Sequence, residues 1–231
     1  MKEFFTQNGI FITDEQLNLF EKYYQILIEY NSKFNLTAIT DKKEVFIKHF
    51  VDSVVYVDKL KCGNLLDVGS GGGFPAIPIK ILRDDLDVTL LESTGKKCEF
   101  LNEVIKFLNL KNIRVINGRA EELSIKPEYR ERYSICTARA VARLNVLCEY
   151  CLPFVSVGGQ FVAFKGNIDQ ELQEATNAIN ILGGKVSNVE KYQINGENRA
   201  LCYIDKILET PKKYPRGRGK ERKNPLWRFI K

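Results

Sequence analysis

Four glycines fall within the five residues Gly69-Ser70-Gly71-Gly72-Gly73, directly after the apolar run Leu65-Leu66-Asp67-Val68 and just before Phe74-Pro75. Glycine admits φ > 0 and lets another group come close to the backbone. A buried strand, a bare turn and a helix starting near a proline aim N–H groups and a helix dipole at one point, where a nucleotide-like ligand can sit. Two ligand classes compete. The dinucleotide fingerprint G-x-G-x-x-G/A fails from Gly69, because Phe74 takes the third glycine place, and passes from Gly71 as Gly71-x-Gly73-x-x-Ala76. An acid, one apolar residue and G-x-G-x-G instead make the cradle of S-adenosylmethionine (AdoMet) methyltransferases, and Asp67, Gly69, Gly71 and Gly73 meet it without adjustment. AdoMet carries an ammonium and a sulfonium but no phosphate, so a carboxylate at Asp67 favours it and would repel a pyrophosphate. A ligand-free turn of four glycines would cost backbone entropy with no packing return.

Three further positions follow strands, where ligands of open α/β sheets sit. Glu92 ends an apolar stretch 19 residues after Gly73 and can accept hydrogen bonds from ribose hydroxyls, in AdoMet or NAD alike. In Asn117-Gly118-Arg119-Ala120-Glu121-Glu122, Glu121 is a candidate for an adenine amino group, with Ala120 giving backbone or apolar contact. The same acids would equally suit the first turn of a short helix. Arg139, in Cys136-Thr137-Ala138-Arg139-Ala140, stands where a methyl group would be transferred, and its planar guanidinium can bind a phosphate or orient a base. No Asn/Asp-Pro-Pro-aromatic motif of adenine-amino methyltransferases occupies that place. Cys136 supplies the residue type that pyrimidine C5 methylation needs, but it lies in an apolar strand and reads as a small buried hydrophobe. Lys165 ends the next strand, as an RNA-phosphate contact or a plain strand-end lysine, and Arg143 shares its rim. His49, the single histidine, reads as a packing residue, and Cys148-x-x-Cys151 as helix packing; no metal site is expected.

These positions must be held by alternating elements. Strands are expected at 65–68, 87–92, 113–117, 133–137 and 160–165, with helices at 75–82, 95–108, 143–154 and 168–182. Two final strands, 185–193 and 200–207, leave no room for a helix between them and should pair as a hairpin. The class is α/β: a doubly wound, mostly parallel, seven-stranded, Rossmann-like sheet. Thr13-x-x-Gln16 opens a helix over 13–30, and a second helix starts at Asp41 with Glu44 three residues on. Residues 1–62 are thus a helical extension, 63–210 the AdoMet-binding domain and 211–231 a basic tail.

The tail holds nine Lys/Arg and one acid, a net +8, so the remaining 210 residues sum to −2. Such a balance points to nucleic acid. Arg216 and Arg218 are its candidate RNA contacts, and Gly217 and Gly219 make part of it flexible. Truncation after Thr210 is expected to weaken RNA binding and leave AdoMet binding nearly intact. Trp227 and Phe229 would stack on bases or dock the tail. No run approaches the 18 apolar residues of a membrane span, and the N-terminus lacks a signal-peptide core. A cytoplasmic protein with its six cysteines reduced is expected.

Together, Asn35-Leu36-Thr37, Lys48-His49-Phe50-Val51-Asp52-Ser53, the glycine motif, Gly118-Arg119-Ala120-Glu121, Thr137-Ala138-Arg139-Ala140-Val141-Ala142 and Lys212-Lys213-Tyr214-Pro215-Arg216 resemble the glucose-inhibited division protein B family nearly end to end. These are methyltransferases of small-subunit ribosomal RNA. The resemblance implies AdoMet as donor and N7 of guanine 527, in the 530 loop of 16S RNA, as acceptor. It places cofactor contacts at Gly69, Phe74, Ala120, Glu121 and Arg139, with 16S RNA or the small subunit as partner of a monomer. Guanine N7 has an in-plane lone pair, so alignment and electrostatics suffice and no general base is required. A nicotinamide oxidoreductase and a non-catalytic RNA-binding shell are the alternatives. Against the first, no Tyr-x-x-x-Lys follows the fourth strand; against the second stand the intact glycine loop and Glu92.

Overall fold

The computed structural model describes residues 1–226; Trp227 and Phe229 lie outside them. Seven strands form one sheet, β1 Asn64–Val68, β2 Asp87–Glu92, β3 Ile113–Asn117, β4 Tyr133–Arg139, β5 Val155–Lys165, β6 Gly184–Ile194 and β7 Glu197–Lys206. Their order is β3-β2-β1-β4-β5-β7-β6. β1 to β5 are parallel, and β7 runs antiparallel to both β5 and β6, the hairpin that the short connection required. Chain order reverses between β1 and β4, which pair with Asp67 opposite Thr137. The crevice beyond their carboxyl ends is therefore the switch point at which such sheets bind ligands.

Helices cover both faces. Before the sheet come α1 Lys2–Thr6, α2 Asp14–Phe34, α3 Lys42–Val45, a π-helical turn Phe46–Val51 and α4 Asp52–Val54. Within and after it come α5 Ala76–Leu82, α6 Gly95–Phe107, α7 Ala120–Leu123, α8 Leu144–Cys151, α9 Asp169–Ile181 and α10 Lys220–Lys223. Successive strand residues point to opposite faces. Leu65 and Ile135 accordingly join a core with α2, α5 and α6, while Leu66 and Cys136 join a second core with α8 and α9.

The capping box of α2 is formed reciprocally, with Gln16 N–H donating to Thr13 Oγ1 at 3.2 Å and Thr13 N–H to Gln16 Oε1 at 3.0 Å. The helix runs four residues past the expected end, to a left-handed Asn35. Its buried stripe, Phe20, Tyr23 and Leu27, shares one core with Leu65, Phe74 and Ile77, so the first 62 residues pack directly onto the sheet layer. Phe20 packs at a tilt on Phe50 with ring centres 5.1 Å apart, and Tyr23 stacks on Phe74 at 5.5 Å. By area alone each buried ring contributes about 2 kcal/mol. Asp41 caps α3 by accepting from Glu44 N–H at 2.9 Å. The wider π turn that follows has no signature in the apolar spacing, and such turns recur at functional sites. β5 begins at Val155, five residues earlier than expected, because Gly158 and Gly159 interrupt its pattern.

The tail differs from expectation. Residues 211–226 do not stand free: Tyr214 is buried, and Arg130 donates to the carbonyls of Thr210 at 2.7 Å and Tyr214 at 3.0 Å. Arg216 grips Glu149 of α8 through its backbone N–H at 2.8 Å, Nε at 2.9 Å and Nη2 at 2.7 Å.

Candidate functional site

The glycine loop is fastened to the strand beside it. Gly69 N–H donates to Leu91 O at 2.8 Å, and Gly71 N–H to Glu92 Oε2 at 2.9 Å. Glu92 Oε1 meanwhile accepts from Thr94 N–H at 2.8 Å, so one carboxylate joins the loop to the turn after β2. At Gly69 φ is +74°, and a Cβ would lie 2.7 Å from Val141 Cγ2, so only glycine fits there without strain. Asp67 lies beneath the loop rather than facing a ligand. It is fully buried, borders neither cavity described below, and accepts from Thr137 Oγ1 at 2.8 Å, while its Oδ2 has no partner. Burial outweighs the Thr137 and Ser70 hydrogen bonds and pushes its pKa up to about 7. Asp67 therefore acts on a ligand only from beneath the loop, not by contact.

Two cavities meet at Gly69 and Val141. The front one, about 740 Å³, lies between the glycine loop, the π turn and the β6–β7 hairpin. Asp52, at the end of the π turn, is its hub: it takes Tyr192 OH at 3.0 Å, Arg139 at 3.3 Å and Arg199 at 3.6 Å. Arg139 also donates to Ser53 Oγ at 3.2 Å, with its guanidinium 5.0 Å from the centre of the Phe74 ring. His49 stacks on Phe74 at 4.7 Å and sets Nε2 2.8 Å from Thr37 Oγ1. Burial first, then Arg139, lowers its pKa to about 4, so the imidazole is neutral at pH 7.

The rear cavity, about 710 Å³, opens on the other side of Gly69. Gly118, Ala120 and Glu121 form one wall, and the tail forms the opposite one. α7 starts at Ala120, so Glu121 stands in the first turn of a short helix, and it also lines the rear cavity.

The candidate site residues thus fall into two groups. Gly71, Phe74, Glu92, Arg139 and Lys165 line the front; Ala120, Glu121, Arg216 and Arg218 line the rear; Gly69 lines both. The four RNA candidates do not converge. Lys165 donates to Ala142 O at 2.9 Å and pairs with Glu171 at 2.7 Å. Arg143 pairs with Glu174 and borders neither cavity. Arg216 is committed to Glu149, and Arg218 is exposed. Cys136 is buried in β4, burial pushes the Cys148 and Cys151 thiols well up, and none of the three lines either cavity. Among the described residues no cluster of His, Cys, Asp and Glu could hold a metal ion. Sequence reasoning gave no role to Asp52, Tyr192 or Arg199. Asp52 sits in the motif with His49, a signal that was present; the two hairpin residues carry no local signal.

The family model described as rRNA small subunit methyltransferase G matches residues 16–214. The chain is 48% identical over 222 residues to a ribosomal RNA small subunit methyltransferase G of Acetivibrio thermocellus, covering 94% of this chain and 92% of that one. It is also 48% identical over 221 residues to the protein of that name from Desulforamulus reducens, covering 93% and 92%. A solved SAM-dependent methyltransferase from Aquifex aeolicus shares the fold, with a TM-score of 0.53 and 15% identity over 71% of this chain and 93% of that one.

Proposed function

The chain belongs to the GidB family, and from that premise we propose that it transfers the AdoMet methyl group to N7 of guanine 527 in the 530 loop of 16S ribosomal RNA. By family it is an AdoMet-dependent methyltransferase of small-subunit ribosomal RNA; the base and atom are our reading. The observation that carries it is the seam at Gly69 and Val141, which border both cavities and where any side chain on Gly69 would strike Val141.

The residues present fit AdoMet. Glu92 on the front side and Glu121 on the rear side are acceptors suited to ribose hydroxyls and an adenine amino group. Gly71, Phe74 and Arg139 would border the amino-acid end. When bound, AdoMet supplies an electrophilic methyl on a sulfonium, already a good leaving group.

The chain's own contribution is then placement. N7 offers an in-plane lone pair, so no proton must leave before attack. The neutral His49, held near pKa 4, is a poor base, which suits this acceptor. Asp52 and Ser53 fix Arg139 over the Phe74 ring, leaving a rigid cation to hold an anionic group or a purine carbonyl oxygen at the front. Phe74 and Phe164 line the same cavity and limit water there. With ribosomal RNA as substrate, and no described helix long and apolar enough to cross a membrane, the reading places a monomer in the cytoplasm, acting on free RNA or the assembling subunit.

The test is to incubate the protein with labelled AdoMet and small-subunit RNA or particles, then cleave at N7-methylguanine by borohydride and aniline. One cut at guanine 527 is expected. Label on another base, or on N1 or N2 of that guanine, would refute the assignment.

A further inference from the structure

The basic C-terminal segment has the composition of a solvated arm, yet it is built into the protein. Pro215, Arg216, Gly217, Arg218, Gly219 and Arg222 form one side of the rear cavity, facing Glu121 across it. Resting on the AdoMet reading above, we infer that residues 210–223 are a strap that closes over the adenosine end of the cofactor, so that the chain's most basic segment is also a wall of its nucleoside site.

Three observations hold the strap in place. Glu149 has no exposed surface, and Arg216 supplies each of its hydrogen bonds. A buried carboxylate without its partner is strongly destabilising, so Glu149 makes release of the strap unfavourable. Tyr214 is buried against the same core as Leu147 and Tyr150, and Arg130 ties down the carbonyls on either side of Pro211–213. Finally, the strap turns back on itself where Gly217 N–H donates to the fully buried Glu221, and Arg222 Nε reaches Tyr150 OH at 3.2 Å.

The cavity between strap and α7 suits an adenine nucleoside by its chemistry. Glu121 offers an acceptor for an exocyclic amino group, Ala120 and Ile125 offer apolar surface to a flat ring, and the Gly69 seam leads on to Glu92. A ligand bridging strap and body would raise the cost of opening the strap. On this inference truncation after Thr210 removes one wall of the rear cavity and should weaken AdoMet binding rather than spare it.

The test uses the full chain. Trypsin cleavage after Arg218, Lys220, Arg222 and Lys223, followed by mass spectrometry, tracks opening of the strap when reclosing is fast. Saturating S-adenosylhomocysteine should slow cleavage at these bonds at least fivefold. 5′-Methylthioadenosine, which keeps the adenosine end alone, should do the same, and methionine should not. Arg216→Ala should bind S-adenosylhomocysteine at least tenfold more weakly by calorimetry, about 1.4 kcal/mol, with faster cleavage of the strap. Unchanged cleavage in intact protein shown by calorimetry to be saturated would overturn the strap while leaving the AdoMet reading standing, as would a folded Arg216→Ala protein of unaltered affinity. Absence of any binding by the intact chain would remove the AdoMet reading itself and the strap with it. Should Arg216→Ala not fold, the proteolysis of the intact chain decides alone.

Discussion

In the front cavity every lining cation but Lys97 is answered by a carboxylate among the described residues. Arg139 and Arg199 share Asp52, Lys165 pairs with Glu171, and Lys48 lies within 3.2 Å of both Glu44 and Glu197. In the rear cavity, of nearly equal volume, Arg216 is answered by Glu149, but Arg218 is exposed and has no carboxylate partner among the described residues. Paired charges in a half-buried cleft are rigid and project little field beyond it; unpaired ones on a surface attract phosphate over about a Debye length. The front is thus made to orient a base, and the rear to enclose a nucleoside under a segment that attracts RNA.

The contrast breaks most sharply at Asp52. Asp52→Ala would leave two guanidiniums in the front wall without their shared carboxylate, and a loss of about 3 kcal/mol in urea unfolding is expected. The strap should keep its resistance to trypsin, since none of its anchors touches Asp52. A loss under about 1 kcal/mol would mean that ion pairing does not hold the front in shape.

Gly69→Val acts on the seam and hence on both cavities. The new side chain meets Val141 and stands at φ +74°. AdoMet affinity should fall at least tenfold, about 1.4 kcal/mol, in calorimetry of the folded variant; unaltered affinity would take the seam off the cofactor's path.

A smaller effect separates the two buried titratable groups under the front. His49, lowered to about 4, adds stability that is complete above its unfolded pKa near 6.5 and is lost as pH falls toward 4. Asp67, raised to about 7, adds stability that is complete below about 4 and is lost as pH rises toward 7. Between pH 4 and 7 the two oppose, each with a limiting slope of about 1.4 kcal/mol per pH unit. His49→Gln should therefore fall in stability from pH 4.5 to 6.5 relative to the native chain. Parallel unfolding curves at both pH values would show that His49 is not held neutral.

The smallest effect is expected at Cys136, which is buried in the core beneath α8 and α9. Cys136→Ala should cost about 1 kcal/mol for its small void and leave turnover within a few-fold. An inactive but folded variant, or a covalent RNA adduct of the native protein, would overturn the N7 reading.

What was legible in the sequence follows the reach of each interaction. The strands declared themselves by apolar runs, and β2 and β3 fall where spacing put them. Glycine loop, Glu92 and Arg139 were legible because each follows a strand, and topology carries strand ends to one rim. The hub on Asp52 was not: Tyr192 lies 140 residues away, on a hairpin that reads as ordinary sheet. The strap was hidden twice. Its composition reads as solvent-exposed, and its anchor Glu149 reads as one polar position in an apolar helix, 67 residues from Arg216. Pairing at that distance leaves no local trace.

Tyr23 of α2 donates its hydroxyl to the carbonyl of Gly72, inside the glycine loop. The loop is therefore not a portable cassette. A chimera that transplanted the strand, its glycines and the following helix into another host would carry the motif intact and still lack the hydroxyl that satisfies its middle carbonyl. Any exchange of parts among related chains has to move α2 and the loop together, although Tyr23 and Gly72 lie 49 residues apart in the chain.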